Sequence, residues 1–173
     1  MKKILASMKT VTVLLVLTVV FLAFFVYMIA RPISYGMEYH NETVYDGEVF
    51  EGTMKFGSDY TMLNRNSNFD EEMQSRYYYK DGYIFFTLAE TAESYAEEVA
   101  WIDANFDEAV DAPFYASEIN AFRLASEGQD GYTSVYTCMP AIVFTVVGGV
   151  IELALISLSV VSLVLYKKSK CNK

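Results

Sequence analysis

Two long apolar runs constrain this chain more than anything else in it. The first, Val11 to Ala30, has twenty residues and no ionisable side chain. At 1.5 Å of rise per residue a helix of that length spans about 30 Å, the thickness of a bilayer's hydrocarbon core. The second, Ala141 to Leu165, has twenty-five residues and one charge, Glu152. Backbone polar groups inside lipid must be satisfied within the segment, so each run is expected to be an α-helix. A core helix of a soluble protein would show a polar face, and neither run does. The reading is two transmembrane helices, at 11–30 and 141–165.

The lysines set the expected orientation. Lys2, Lys3 and Lys9 precede the first run, and Lys167, Lys168, Lys170 and Lys173 follow the second. The positive-inside rule then puts both ends, 1–10 and 166–173, in the cytoplasm of a multi-pass plasma-membrane protein. A cleaved signal peptide is the competing reading of the first run. Its apolar stretch is longer than the usual h-region, and Tyr27-Met28-Ile29-Ala30-Arg31-Pro32 lacks the paired small residues of a cleavage site. An uncleaved anchor is expected.

Residues 31–140 then form an extracytoplasmic domain. They hold 21 acidic side chains against six basic ones, which argues against a nucleic-acid partner. They also hold twelve of the fourteen tyrosines and Trp101, too many aromatics for a disordered segment. The expected fold is α+β: an antiparallel β-meander followed by a helix, on short stalks at 31–42 and 128–140. Strands are expected at Glu48–Phe56, Tyr60–Leu63, Met73–Tyr79 and Tyr83–Leu88. Asp81-Gly82 marks a hairpin between the last two, because a type I′ turn needs positive φ at its centre. Tyr95, Val99, Ile102, Phe106 and Val110 form one helical stripe, with Thr91 as N-cap and Asp111-Ala112-Pro113 as the stop. Residues 113–127 read as a second short helix, or 114–124 as a strand.

Most chemical motifs fail on inspection. His40 stands alone near the membrane, with no second ligand beside it. Cys138 and Cys171 fall on opposite sides of the bilayer, so they do not pair within the chain. Asp103-Ala104-Asn105-Phe106-Asp107 imitates the start of an EF-hand loop, but Glu108 stands where glycine is needed and Phe114 where the bidentate glutamate belongs. Asp70-Glu71-Glu72 is a common kind of acidic surface cluster, and Asn41-Glu42-Thr43 is a glycosylation sequon. No catalytic, cofactor or metal residues are assigned, and no cofactor is expected.

Glu152 is the exception. A carboxylate midway along a membrane helix is costly and usually faces protein or water. Ala141, Thr145, Gly148, Gly149, Glu152 and Ser159 share its side of the helix, a stripe of small and polar residues. Such stripes let helices approach closely and bond across the contact. Thr145, Gly148, Gly149, Glu152 and Ser159 are therefore the candidate intramembrane interface. Thr18 of the first run supplies a hydroxyl at comparable depth. Val143, Val150, Leu158 and Val161 on the other side suit lipid. The expected function is a non-enzymatic accessory, sensory or interaction subunit. Its partners are the lipid bilayer and, through the second helix, a membrane protein or a second copy. Two alternatives stay open: an envelope hydrolase using outer carboxylates, and a small transport component using Glu152.

Overall fold

The computed structural model describes residues 7–45, 48–66, 72–112, 115–127 and 133–171. The chain divides into two compact units, one of residues 1–30 with 143–173 and one of residues 31–142.

The first unit is a pair of long apolar helices, α1 (Met8–Ala30) and α4, which begins at Met139 and runs to Cys171. Both are long and apolar enough to cross a membrane. Ser7 caps α1, its hydroxyl oxygen accepting from the Thr10 amide at 3.2 Å. The helices run antiparallel, since Phe25 packs on Gly148 and Thr18 bonds Ser159.

The second unit is an eight-stranded antiparallel barrel in simple sequential order. Its strands are β1 (Glu38–Tyr45), β2 (Glu48–Phe56), β3 (Thr61–Asn66), β4 (Met73–Lys80), β5 (Tyr83–Thr87), β6 (Ala116–Asn120), β7 (Arg123–Glu127) and β8 (Thr133–Thr137). The ring closes where β8 meets β1, with Thr137 opposite His40. This corrects the expected open meander and its stalks. The strands read at 48–56, 73–79 and 83–88 are present, but both stalk segments supply strands, and 115–127 forms the β6–β7 hairpin. The physical reason is edge closure: a meander leaves two rows of unpaired backbone groups, and a closed ring leaves none. The Asp70-Glu71 part of the acidic cluster lies outside the described residues.

Alternation fills the interior. Tyr39 lies opposite Met54, Phe56 opposite Met62, and Ile119 opposite Leu124, and all six are buried. Phe56 sits edge-on between Tyr39 and Tyr77, with centroids 5.4 and 5.1 Å away. Eight strands enclose just enough space for such side chains to fill. Between β4 and β5, Asp81 and Gly82 both adopt positive φ, 49° and 93°, as the two-residue turn requires.

The expected single helix over 93–110 is two: α2 (Ala92–Ala104) and α3 (Phe106–Asp111), broken at Asn105. Thr91 caps α2 as its sequence context indicates, in a reciprocal capping box with Ser94. The helix lies along the outside of β4 and β5. The Tyr95 hydroxyl donates to the Tyr77 carbonyl at 2.8 Å, and Asp103 accepts from Lys80 at 2.6 Å and from Tyr78 at 3.0 Å. Beneath it Phe85, Ile102 and Ala109 form a second buried cluster.

Candidate functional site

The strongest candidate lies in the seam of the helix pair. On α4 the inward positions are Thr145, Gly148, Glu152, Leu155, Ser159 and Ser162, at alternating steps of three and four. On α1 they are Val11, Leu14, Thr18, Phe21, Phe25 and Met28, with the same alternation. A 3.5-residue repeat on both partners is the signature of helices packed side by side at a shallow angle.

Small residues set the distance of approach. A Cβ on Gly148 would stand 2.9 Å from Cδ2 of Phe25, so no larger residue fits without moving that ring. Gly149 is less constrained, its Cβ position lying 3.5 Å from Cζ of the same phenylalanine. Thr145 is half-buried on the same side. Further along, Thr18 and Ser159 face each other at 3.0 Å. The Thr18 hydroxyl already donates to the Leu14 carbonyl at 2.9 Å, so Ser159 is the donor between them. Ser159 and Ser162 are both buried. Ser162 was missed in the sequence, although it continues the spacing three residues beyond Ser159.

Glu152 differs from all of these. It is 5% exposed, and neither carboxylate oxygen has a hydrogen-bond partner among the described residues. Between the Gly148 and Ser159 contacts, the inward residues that α1 offers at this level are Phe21 and Phe25. From Thr10 to Ala30, and from Ala141 to Tyr166, neither helix has a lysine, arginine or histidine. An uncompensated buried charge costs several kcal/mol, and buried polar groups are normally bonded. The site can therefore hold a hydrogen-bond donor or a cation brought by something else.

The remaining residues singled out in the sequence sit apart from this seam. His40 is a strand residue of β1, with Nε2 3.5 Å from a Glu38 carboxylate oxygen. Cys138 is buried, Cys171 is exposed, and both are free thiols. Asp103, first residue of the EF-hand-like stretch, binds Lys80 and Tyr78, which hold its carboxyl below the usual carboxylate range. Among the described residues no three metal-ligating side chains come together. No protein-family model matches the chain, and no curated protein matches it in sequence.

Proposed function

We propose that the chain is an integral membrane interaction subunit, in which Glu152 engages another polypeptide within the bilayer. The helix pair spans the membrane with both termini in the cytoplasm, and the acidic barrel stands on the other side. The outward faces of the helices support a lipid setting: Val13, Val16, Val19 and Val20, with Val143, Val146, Val150 and Leu153, are all well exposed. A soluble monomer rarely carries apolar surface on that scale. Lysines at both ends support the orientation.

The observation that carries the proposal is the unpartnered carboxyl of Glu152. Thr18 and Ser159 complete each other within the pair, and Glu152 is left over. Groups of this kind in membrane helices pair with residues of neighbouring helices or mark a pathway. A partner helix bearing a hydrogen-bond donor or a cation at this depth would complete the seam.

In-membrane crosslinking followed by affinity purification tests it, comparing the native protein with Glu152→Ala and Glu152→Gln at equal abundance. A specific partner or a homo-oligomer is expected with the native chain and lost with Glu152→Ala. Retention by Glu152→Gln would identify a hydrogen bond, and loss would identify an ion pair. A monomeric native protein, or an Ala variant with an unchanged crosslinking pattern, would overturn the proposal.

A further inference from the structure

A second set of unmatched polar groups lies in the barrel unit, and two of them, Arg76 and Thr87, line one cleft. Strand β5 ends at Thr87, opposite Arg76, while β4 begins three residues earlier at Met73. The chain turns away there, through Leu88 to Glu90, towards the start of α2. The result is an open cleft of about 430 Å³, whose lining includes Met73, Arg76, Thr87, Leu88 and Glu90.

Three polar side chains at this level lack the partners their chemistry calls for. Thr87 is 1% exposed, and its hydroxyl has no hydrogen-bond partner among the described residues. The Arg76 guanidinium lies 5.5 Å from the centroid of the Tyr95 ring, with no carboxylate within ion-pair distance among the described residues. Asp59, the acid whose charge is felt at Arg76, is itself occupied by the Thr61 amide and hydroxyl. The third is Glu98, whose Oε2 is buried and unpartnered. Its level follows from the packing of α2. Ile102 packs with Phe85 in the second core cluster. Four residues back along the helix is a step of about 6 Å, and two residues along a strand is about 6.6 Å. Because α2 runs antiparallel to β5, those steps bring Glu98 to the level of Thr87, outside the lining of the cleft.

A guanidinium, a buried hydroxyl and the Glu90 carboxylate around one cleft, next to two exposed apolar side chains, define a ligand chemistry. We propose that this cleft binds a small zwitterion with an apolar body, the chemistry of an apolar α-amino acid. The ligand carboxylate lies on Arg76 and accepts from the Thr87 hydroxyl. Its ammonium group faces Glu90, and its side chain rests on Met73 and Leu88, which are 61% and 84% exposed. Arg76 disfavours a simple cation. The 21 acidic residues of the domain, against six basic ones, disfavour a multiply charged anion. A molecule with no net charge satisfies both ends. The inference is independent of Glu152 and of any membrane partner.

Calorimetric titration of the full-length protein in nanodiscs with L-leucine tests it, with L-leucinamide, isocaproate and inorganic phosphate as comparators. Saturable binding of leucine is expected. Binding of leucinamide, which lacks the carboxylate, and of isocaproate, which lacks the ammonium group, should be weaker by roughly tenfold or more, the scale of one charge-assisted hydrogen bond. Arg76→Gln and Thr87→Val should each weaken leucine by a similar factor. Thr87→Val keeps the side-chain volume and removes a hydroxyl with no partner, so its melting temperature should not fall, which separates lost binding from lost folding. Absence of saturable leucine binding, equal binding of isocaproate or phosphate, or unchanged leucine affinity in both variants would each overturn the proposal.

Discussion

In the barrel, the Tyr77 hydroxyl donates to the Gly57 carbonyl at 2.6 Å, and Ser34 donates to the Ala121 carbonyl at 2.8 Å while its amide bonds the Tyr39 hydroxyl. In the helix pair, Glu152 is also buried and bonds none of the described residues. The difference follows from where each unit finds its acceptors. Turns such as the one at Gly57 leave backbone carbonyls unclaimed, and a buried phenol or hydroxyl reaches them. A long helix consumes its own carbonyls along its whole length, so a carboxyl in its seam depends on a side chain from elsewhere. A matched polar group therefore reports on folding, whereas an unmatched one points to something outside the unit. Thr87 and Glu98 are the barrel's own instances of the second kind.

The largest expected effect tests the idea that barrel stability resides in its packed aromatic centre. Phe56→Ala removes a fully buried ring held edge-on by two tyrosines, and should cost about 3–5 kcal/mol. Denaturant unfolding followed by near-ultraviolet circular dichroism checks this, and a loss below about 1 kcal/mol would mean that the ring is not packed as described. Next in size is the corresponding change in the helix pair. Gly148→Val drives methyl groups into Phe25 and should cost about 1–3 kcal/mol of helix–helix contact. A Thr18→Cys/Ser159→Cys pair reads it directly, since its disulfide yield should fall when Gly148→Val is added.

The buried phenols give the barrel a pH dependence of its own. Desolvation raises the pKa of Tyr39 and of Tyr77 above the ordinary tyrosine value. Below about pH 10 both states of the protein keep these protons. Above it the unfolded chain releases protons that the folded barrel retains, so stability falls as pH rises. Barrel unfolding should therefore be flat from neutral pH to about 10 and decline beyond it. Tyr77→Phe should flatten that decline, at the expense of the bond to Gly57. An unchanged alkaline slope in Tyr77→Phe would remove Tyr77 from the account.

Local chemistry decided what could be read from the sequence. Asp81-Gly82 and Thr91 each state their role in one or two residues, and both do what they indicate. The barrel's closure was not legible. Glu38–Tyr45 alternates weakly, and Ala116-Ser117-Glu118-Ile119-Asn120 turns Ser117 inward where a large apolar residue would have signalled a strand. The β6–β7 turn has no glycine; the Asn120 side chain holds it instead, accepting from the Phe122 and Arg123 amides at 2.9 Å each. An asparagine three residues before an arginine is a faint signal beside an Asp-Gly. In the helix pair the sequence named Gly148, Glu152 and Ser159, because one polar residue in an apolar run is conspicuous. It had no means of naming Phe25, one of many apolar side chains in α1. Glu98 falls outside the Tyr95–Val110 stripe, yet it lies four residues before the buried Ile102, and only the docking of α2 reveals that its Oε2 is enclosed.

The smallest expected effect concerns how each unit holds its helix ends. Thr91 accepts from the Ser94 amide at 3.1 Å at the start of the thirteen-residue α2, and Ser7 plays the same part for the 23-residue α1. Removing either hydroxyl leaves one amide unsatisfied, a change worth about 1 kcal/mol. Its consequences should nevertheless differ. In α2 the capped turn leads to Tyr95 and Glu98, so Thr91→Ala should speed hydrogen exchange through Tyr95 and loosen the helix over β4 and β5. In α1 the seam contacts begin at Val11 and continue to Met28, so fraying after Ser7→Ala should stop within the first turn. Hydrogen exchange with mass-spectrometric readout distinguishes the two, and equal spread of exchange into both helices would mean that their ends are held by the same means.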